Sequence, residues 1–217
     1  MLVVLFPMSL IAVIDFETTG LSPAMGDRAT EVAIVLLEAG VVVDRFQSLM
    51  NAGVYIPAFI TSLTGISNAM IAGAPSADRV MRDASRFTGN APLVAHNAAF
   101  DRKFWQAELS RADEPAEHLF ACTLLVSRRL YPQAPSHKLG VLVDYHQLPK
   151  AGRAHRALAD AEMAAALLGR IQHDLRTRHG VSRPDHALLM LLQRCAKPAL
   201  RALMAQYAEP TTACTMS

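Results

Sequence analysis

The chain has 217 residues, 52% of them hydrophobic and 18% charged, with a formal net charge of +2. It can bury the core of one medium-sized domain with a tail, and its overall charge points neither toward nor away from a polyanionic partner. Three cysteines, widely spaced and without a CxxC pair, exclude a disulfide framework and the usual zinc and thiol-redox patterns and fit a reduced, cytoplasmic setting.

The opening MLVVLFPMSLIAVI is apolar, but it has neither a basic leader nor a cleavage pattern, and Pro7 and Asp15 cut it short of a membrane span. It reads as the lead-in to a strand, with Met1 or Met8 as the start. Residues 10–16 alternate too little for a half-exposed strand, so a central strand covered on both faces is expected, ending at a turn around Gly20. ATEVAIVLLEAGVVVDRFQSLM holds two β-branched runs on either side of Ala39 and Gly40, a hairpin in outline. APSADRVMRDASRF predicts a helix, with Pro75 and Ser76 at its start and Val80, Met81, Ala84 and Phe87 at helical spacing. PLVAHN predicts a fourth strand, AAFDRKFWQAELSRA a helix and EHLFAC a fifth strand. Helical patterns follow in TLLVSRRL, HKLGVLVDYH and RALADAEMAAALLGRIQ, the last with Ala157, Ala161, Ala164, Leu168 and Ile171 on one stripe.

From about residue 174 the pattern changes. A break at RPDHA precedes an amphipathic stretch interrupted by Pro198, and the polar EPTTACTMS is expected to fray. The chain therefore divides into a domain over residues 8–174 and a helical extension over 175–217. The cations of the extension, among them Arg194, Lys197 and Arg201, read first as a solvated helix face and second as phosphate contacts.

The informative stretch is IAVIDFETTGLSP. Residues i and i+2 of a strand project to the same side, so Asp15 and Glu17 present two carboxylates to one point, about 6 to 7 Å apart along the backbone. Such a pair at the end of a buried strand calls for a cation, and no lysine or arginine lies within the stretch. A hard divalent ion such as Mg²⁺ is the natural partner of carboxylate oxygens. LVAHNAAFDRKFW repeats the theme, with Asp101 in the first turns of a helix that follows a strand. An acid there also suits the helix dipole, so alone it decides nothing. AHRALADAEMAAALL sets His155 just ahead of a helix and Asp160 beside its apolar stripe, with Arg156 at i−4 as an alternative surface partner.

Together DFETTGL, AHNAAFD and HRALADA resemble the three motifs of the DEDD family of 3′-5′ exonucleases, histidine subtype, as found in the proofreading epsilon subunit of bacterial DNA polymerase III. The resemblance spans residues 10–172. It implies an α/β, RNase H-like fold, a five-stranded mixed sheet flanked by helices, followed here by the C-terminal helical appendage. It also implies two divalent metal ions, Mg²⁺ or Mn²⁺, with Asp15 bridging both, Glu17 and Asp160 completing the nucleophile-side site and Asp101 holding the second ion. His155 would be the general base, since a neutral imidazole accepts a proton near physiological pH. Thr18, Thr19, Gly20 and Leu21, with Thr64 and Asn97, would meet the terminal nucleotide. Thr64 stands where the family often has a histidine, and Cys122 where it often has an aspartate, departures that bear on nucleotide preference. The implied activity is metal-dependent removal of nucleotides from a single-stranded or frayed 3′ end of DNA, with a polymerase subunit as a partner and no membrane involvement. An RNA-trimming exonuclease on the same scaffold, and a nuclease-like module that binds without cutting, are the competing readings.

Overall fold

A computed structural model describes residues 10–150, 152 and 155–208. Met8 and the tail expected to fray, residues 209–217, lie outside them. The sheet is built from β1 (Ile11–Thr18), β2 (Ala29–Glu38), β3 (Val41–Leu49), β4 (Leu93–Ala95) and β5 (Phe120–Cys122), in the order β3-β2-β1-β4-β5. β2 runs antiparallel to β1 and β3, whereas β4 and β5 run parallel to β1. The β2–β3 hairpin turns through Ala39 and Gly40, both at positive φ (56° and 82°), the conformation that matches the twist of the flanking strands.

β1 is covered on both sides, as its unbroken apolar run requires. Ile11 and Val13 join one core with the stripe of α7 (Ala157–His179), in which Ala157, Ala161, Ala164, Leu168 and Ile171 are all buried. Ala12, Ile14 and Phe16 join the opposite core, built from α3 (Ala77–Thr88) and α4 (Ala98–Arg111) with Val80, Met81, Ala84, Phe104 and Trp105. Ser76 caps α3 by accepting the Arg79 N–H at 3.4 Å. Phe87 is only partly buried, so the expected stripe of α3 narrows at its end.

Between β3 and α3 lie two short helices that the periodicity does not reveal, α1 (Ala58–Thr64) and α2 (Asn68–Ala72). Seven and five residues are too few to show a helical repeat. They are held instead by local chemistry. Gly65 at φ 76° ends α1, Ser67 caps α2, and Ile56, Ile60, Ile66 and Ile71 form a small separate core.

Beyond β5 come α5 (Thr123–Leu130), α6 (Leu139–Tyr145), α7, α8 (His186–Leu192) and α9 (Leu200–Tyr207). α7 continues through residue 174 and ends at Gly180, which is left-handed at φ 67°. Leu188, Leu189, Leu192 and Met204 of the C-terminal helices share the α7-side core. Gln193, at the end of α8, lies along the outer edge of β5. Its Oε1 accepts the Cys122 N–H at 2.7 Å and its Nε2 donates to the Phe120 carbonyl at 3.3 Å. One amide side chain thus satisfies two backbone groups of an edge strand that would otherwise be buried unpaired. Gln193→Ala should therefore lower stability by about 1–3 kcal/mol, the cost of orphaned buried polar groups, with turnover per folded molecule unchanged. Thermal melts of the variant, beside an activity assay normalised to folded protein, check this.

Candidate active site

The acids converge at the C-terminal end of β1. The odd-numbered residues of this strand face α7, so Asp15 and Glu17 point to the side from which Asp160, in the first turn of α7, approaches. Carboxylate oxygens of Glu17 and Asp160 and a ring nitrogen of His155 lie within 4.8 Å of one another. Asp101 arrives from the other face. β4 pairs with β1 only at Ala12 and Val13, so the Phe16 N–H, further along β1, is not used by β4. Asp101, 2% exposed in the first turn of α4, accepts that N–H at 3.2 Å and so sits at the strand end beside Asp15.

The electrostatics follow from this crowding. Burial pushes Asp15 well above the usual carboxylate range, and the charges of Asp101, Asp160, Glu17 and Glu31 push in the same direction. Burial and then the Asp160 charge raise Glu17 to about 8. Burial raises Asp101 to about 8, against the opposing pull of its backbone hydrogen bonds. Asp160 is also raised by burial, opposed by the hydrogen bond from the His155 N–H. Four carboxyl groups raised together, none of them paired with a lysine or arginine among the described residues, call for a cation. The oxygen-rich donor set, without a thiolate, suits a hard divalent ion.

Arg156 does not fill that need. The sequence allowed it to pair with Asp160, but its guanidinium grips Glu31 instead, at 2.8 and 3.0 Å. Glu31 lies directly across from Glu17 in the β1–β2 pair and is fully buried. It also accepts the Ala157 N–H at 3.1 Å and a Gln47 N–H at 2.7 Å. Burial alone would push Glu31 up, but the bonds from Arg156, Gln47 and Ala157 outweigh it and hold it below the usual carboxylate range. Glu31 therefore anchors the start of α7 to the sheet, beside the loop that carries His155. His155 is exposed, adopts a left-handed φ of 59° and donates its backbone N–H to Asp160 Oδ2 at 3.1 Å. Asn97, exposed at the head of α4, is left-handed too, at φ 73°. Such backbone in residues other than glycine is uncommon and gathers at functional sites.

The turn after β1 is built to hold its shape. The Thr18 hydroxyl donates to the Gly20 carbonyl at 2.6 Å, and Thr19 exchanges backbone and side-chain bonds with Arg28. Arg28 in turn forms a two-pronged ion pair with the buried Glu108 of α4. A Cβ at Gly20 would push aside the Asp27 carboxylate, which accepts the Ser22 N–H at 2.9 Å. Leu21 stands out from this rigid base, 78% exposed. Thr64 does not present itself in the same way. It is 1% exposed, and its hydroxyl donates to the Ile60 carbonyl and accepts the Ile66 N–H, both at 3.0 Å. The substrate contact expected of Thr64 is thus replaced by a helix-ending role in α1. Glu31, Arg28 and Glu108 are missing from the sequence reading. The available signal was a buried acid within the apolar run ATEVAIVLLE, which by itself names no partner.

A family described as Exonuclease (RNase_T) matches residues 12–168. The chain is 36% identical over 155 residues to "DNA polymerase III PolC-type" of Caldanaerobacter subterraneus subsp. tengcongensis, a match covering 71% of this chain and 11% of that protein. It is 37% identical over 168 residues to "3'-5' exonuclease DinG" of Bacillus subtilis, covering 76% of this chain and 18% of that one. The chain thus corresponds to a small part of these relatives. Among solved structures, "Exonuclease X in complex with 5' overhanging duplex DNA" is 28% identical with a TM-score of 0.61, covering 75% of this chain and 91% of that one. The nuclease domain of 3'hExo, described as a DEDDh family member bound to rAMP, has the same fold, with a TM-score of 0.66 at 21% identity over 77% of this chain and 93% of that one. With the strand order, the four converging acids and His155 in place, the chain belongs to the exonuclease family, in its DEDD 3′-5′ exonuclease branch of the histidine subtype.

Proposed function

We propose that the protein hydrolyses phosphodiester bonds at the 3′ end of DNA with two divalent ions, Mg²⁺ or Mn²⁺, and that residues 8–174 form the catalytic domain while 175–217 form an extension. The observation that carries this reading is the meeting of Asp15, Glu17, Asp101 and Asp160 from three elements at one strand end, their carboxyl groups raised by burial and by one another's charges while the nearby Arg156 pairs with Glu31. These four residues would hold the ions, with Asp15 shared between them. When bound, the ions supply Lewis-acid polarisation and shield the charge of the phosphodiester.

The chain's own groups do the rest. His155, held at the site by its backbone bond to Asp160, takes the proton of the attacking water. The Thr18–Leu21 turn gives the terminal nucleotide a fixed wall, with Leu21 as the apolar surface on which its base rests. Asn97, exposed at the head of α4, would contact the same nucleotide. DNA is favoured over RNA because the PolC-type relative, named as a DNA polymerase, is 36% identical to this chain, whereas the RNA-bound fold neighbours are 20% and 21% identical. A polymerase partner is suggested by the PolC-type relatives, and no described helix is long and apolar enough to cross a membrane.

The test is digestion of 5′-labelled and 3′-labelled single strands of DNA and of RNA, with and without Mg²⁺. The expected result is a ladder of shortening 5′-labelled DNA, release of the label from 3′-labelled DNA as the first product, and no reaction in chelator. RNA should be cut roughly tenfold or more slowly, about 1.4 kcal/mol of discrimination. RNA cut as fast as DNA would favour the RNA-trimming reading. Tight binding without cleavage in Mg²⁺ or Mn²⁺ would favour the non-cutting module.

A further inference from the structure

Many of the described cations are paired with acids. Arginines on α3 and α7, among them Arg79, Arg86, Arg170 and Arg178, lie within 4.0 Å of a carboxylate. Arg128 and Arg129 at the end of α5 and Lys197 after α8 form no ion pair among the described residues. They line a cavity of about 410 Å³ together with His137, Pro132, Cys195 and Ala196, without an acidic residue. Arg129 is fixed in place by carbonyls alone, its Nε donating to Cys195 at 3.2 Å and its Nη1 to Leu125 at 2.9 Å. Its charge is therefore positioned but not neutralised. Burial, then the charges of Arg128 and Lys197, lower the pKa of His137, as expected where cations crowd one wall.

This cavity is tied to the active-site edge of the sheet. His137 accepts a hydrogen bond from His96 Nε2 through its backbone carbonyl at 2.9 Å, while its ring bonds the Ser127 hydroxyl at 3.0 Å. His96 immediately precedes Asn97 and α4, the helix of Asp101, and its other ring nitrogen meets Thr123 at 2.9 Å. β5, which leads into α5, is two inter-strand steps from β1, on the order of 10 Å, so the cavity beyond it is set apart from the strand end that carries the acids.

We propose that the cleft bordered by Arg128, Arg129 and Lys197 grips the sugar-phosphate backbone of the nucleic acid a few nucleotides away from the 3′ end being removed. The proposal rests on the nuclease reading above and extends it, because it gives the C-terminal extension a role in holding substrate. A polyanion fits better than a protein partner: Pro132, Ala196 and Cys195 offer no large apolar anchor of the kind that centres protein interfaces. Phosphate contacts of this type carry no sequence information, and they make affinity fall steeply with salt.

The test uses the full chain and its Arg128→Glu/Lys197→Glu variant, leaving Arg129 and its structural bonds intact. Binding of a fluorescent 20-nucleotide DNA is measured by anisotropy in chelator across a salt series, and kcat/KM in Mg²⁺ is measured on that DNA and on a dinucleotide too short to reach the cleft. The variant should bind the longer DNA roughly 10- to 100-fold more weakly at low salt, with a salt slope less steep by about 2. Its kcat/KM should fall on the longer DNA and not on the dinucleotide. Equal affinities and equal slopes would overturn the proposal, and that is also the result if the cleft serves an acidic protein. If the wild type cuts nothing but loses its salt slope through the substitutions, the cleft stands and the nuclease reading falls.

Discussion

Asp15→Asn should abolish hydrolysis of a 3′ end, by on the order of 10³-fold or more, while raising the melting temperature of the metal-free protein. The loss follows from removing the shared ligand of the proposed ions, whose charge stabilisation is worth several kcal/mol at about 1.4 kcal/mol per tenfold in rate. The gain follows from the crowding. Burial and the charges of Asp101, Asp160, Glu17 and Glu31 raise Asp15 far above its ordinary range, so its ionised form is destabilising in the fold. The sign in pH is set by the same shifts. Glu17 and Asp101 titrate at about 8 in the fold but near 4 in the unfolded chain, so the folded state holds more protons between those values. Stability without metal should therefore be greater at about pH 5 than at about pH 9, and be lost progressively as pH rises through the folded values. Asp15→Asn, which removes one of the repelling charges, should flatten that slope. Melts in chelator across the pH series, repeated with Mg²⁺, measure both effects, and the ion should restore wild-type stability at high pH but help the variant less. A wild type whose melting temperature ignores both pH and Mg²⁺ would sink the metal-site reading even before activity is assayed.

The parts of this site that were legible in the sequence are those that depend on one element at a time. Period two on β1 placed Asp15 and Glu17 together, and the stripe of α7 placed Asp160 at its border. Both follow from local geometry and survive in the structure. The fold was legible for the same reason: β1 and β2 are long apolar runs, and α3, α4 and α7 repeat their pattern over several turns. What stayed hidden depends on pairs far apart in the chain. Nothing near Glu31 announces Arg156, and nothing near Arg28 announces Glu108, yet these two ion pairs tie the start of α7 to β2 and the start of β2 to α4 beside the site. Thr64 shows the opposite limit. Its position in the family pattern suggested a substrate contact, but a threonine near a helix end can bond back to the carbonyl four residues earlier, and here it does. α1 and α2 escaped notice because helices of their length are decided by a cap and a small core and not by a repeat.

His155→Gly should lose on the order of 10²- to 10⁴-fold in turnover, the usual contribution of a positioned acid–base group, without loss of stability. Glycine is the informative substitution because His155 sits at φ 59°, a conformation that costs a side-chain-bearing residue and that glycine adopts freely. The backbone N–H that bonds Asp160 is kept, so the start of α7 should hold its place while the ring alone is removed. Metal binding should change little, since the four carboxylates remain. A residual rate should persist, because charge stabilisation at the phosphodiester does not depend on the ring. His155 is exposed, so imidazole added to the buffer can reach the vacated space, and it should restore part of the rate in the glycine variant and none in Asp15→Asn. That rescue separates a proton acceptor from a structural residue, for which a free base in solution would do nothing. Single-turnover digestion of a short DNA strand, with an imidazole titration and parallel melts, provides the measurement. A glycine variant that cuts at the wild-type rate, or one whose lost rate tracks a lowered melting temperature and ignores imidazole, would remove His155 from the chemistry and leave proton transfer to solvent.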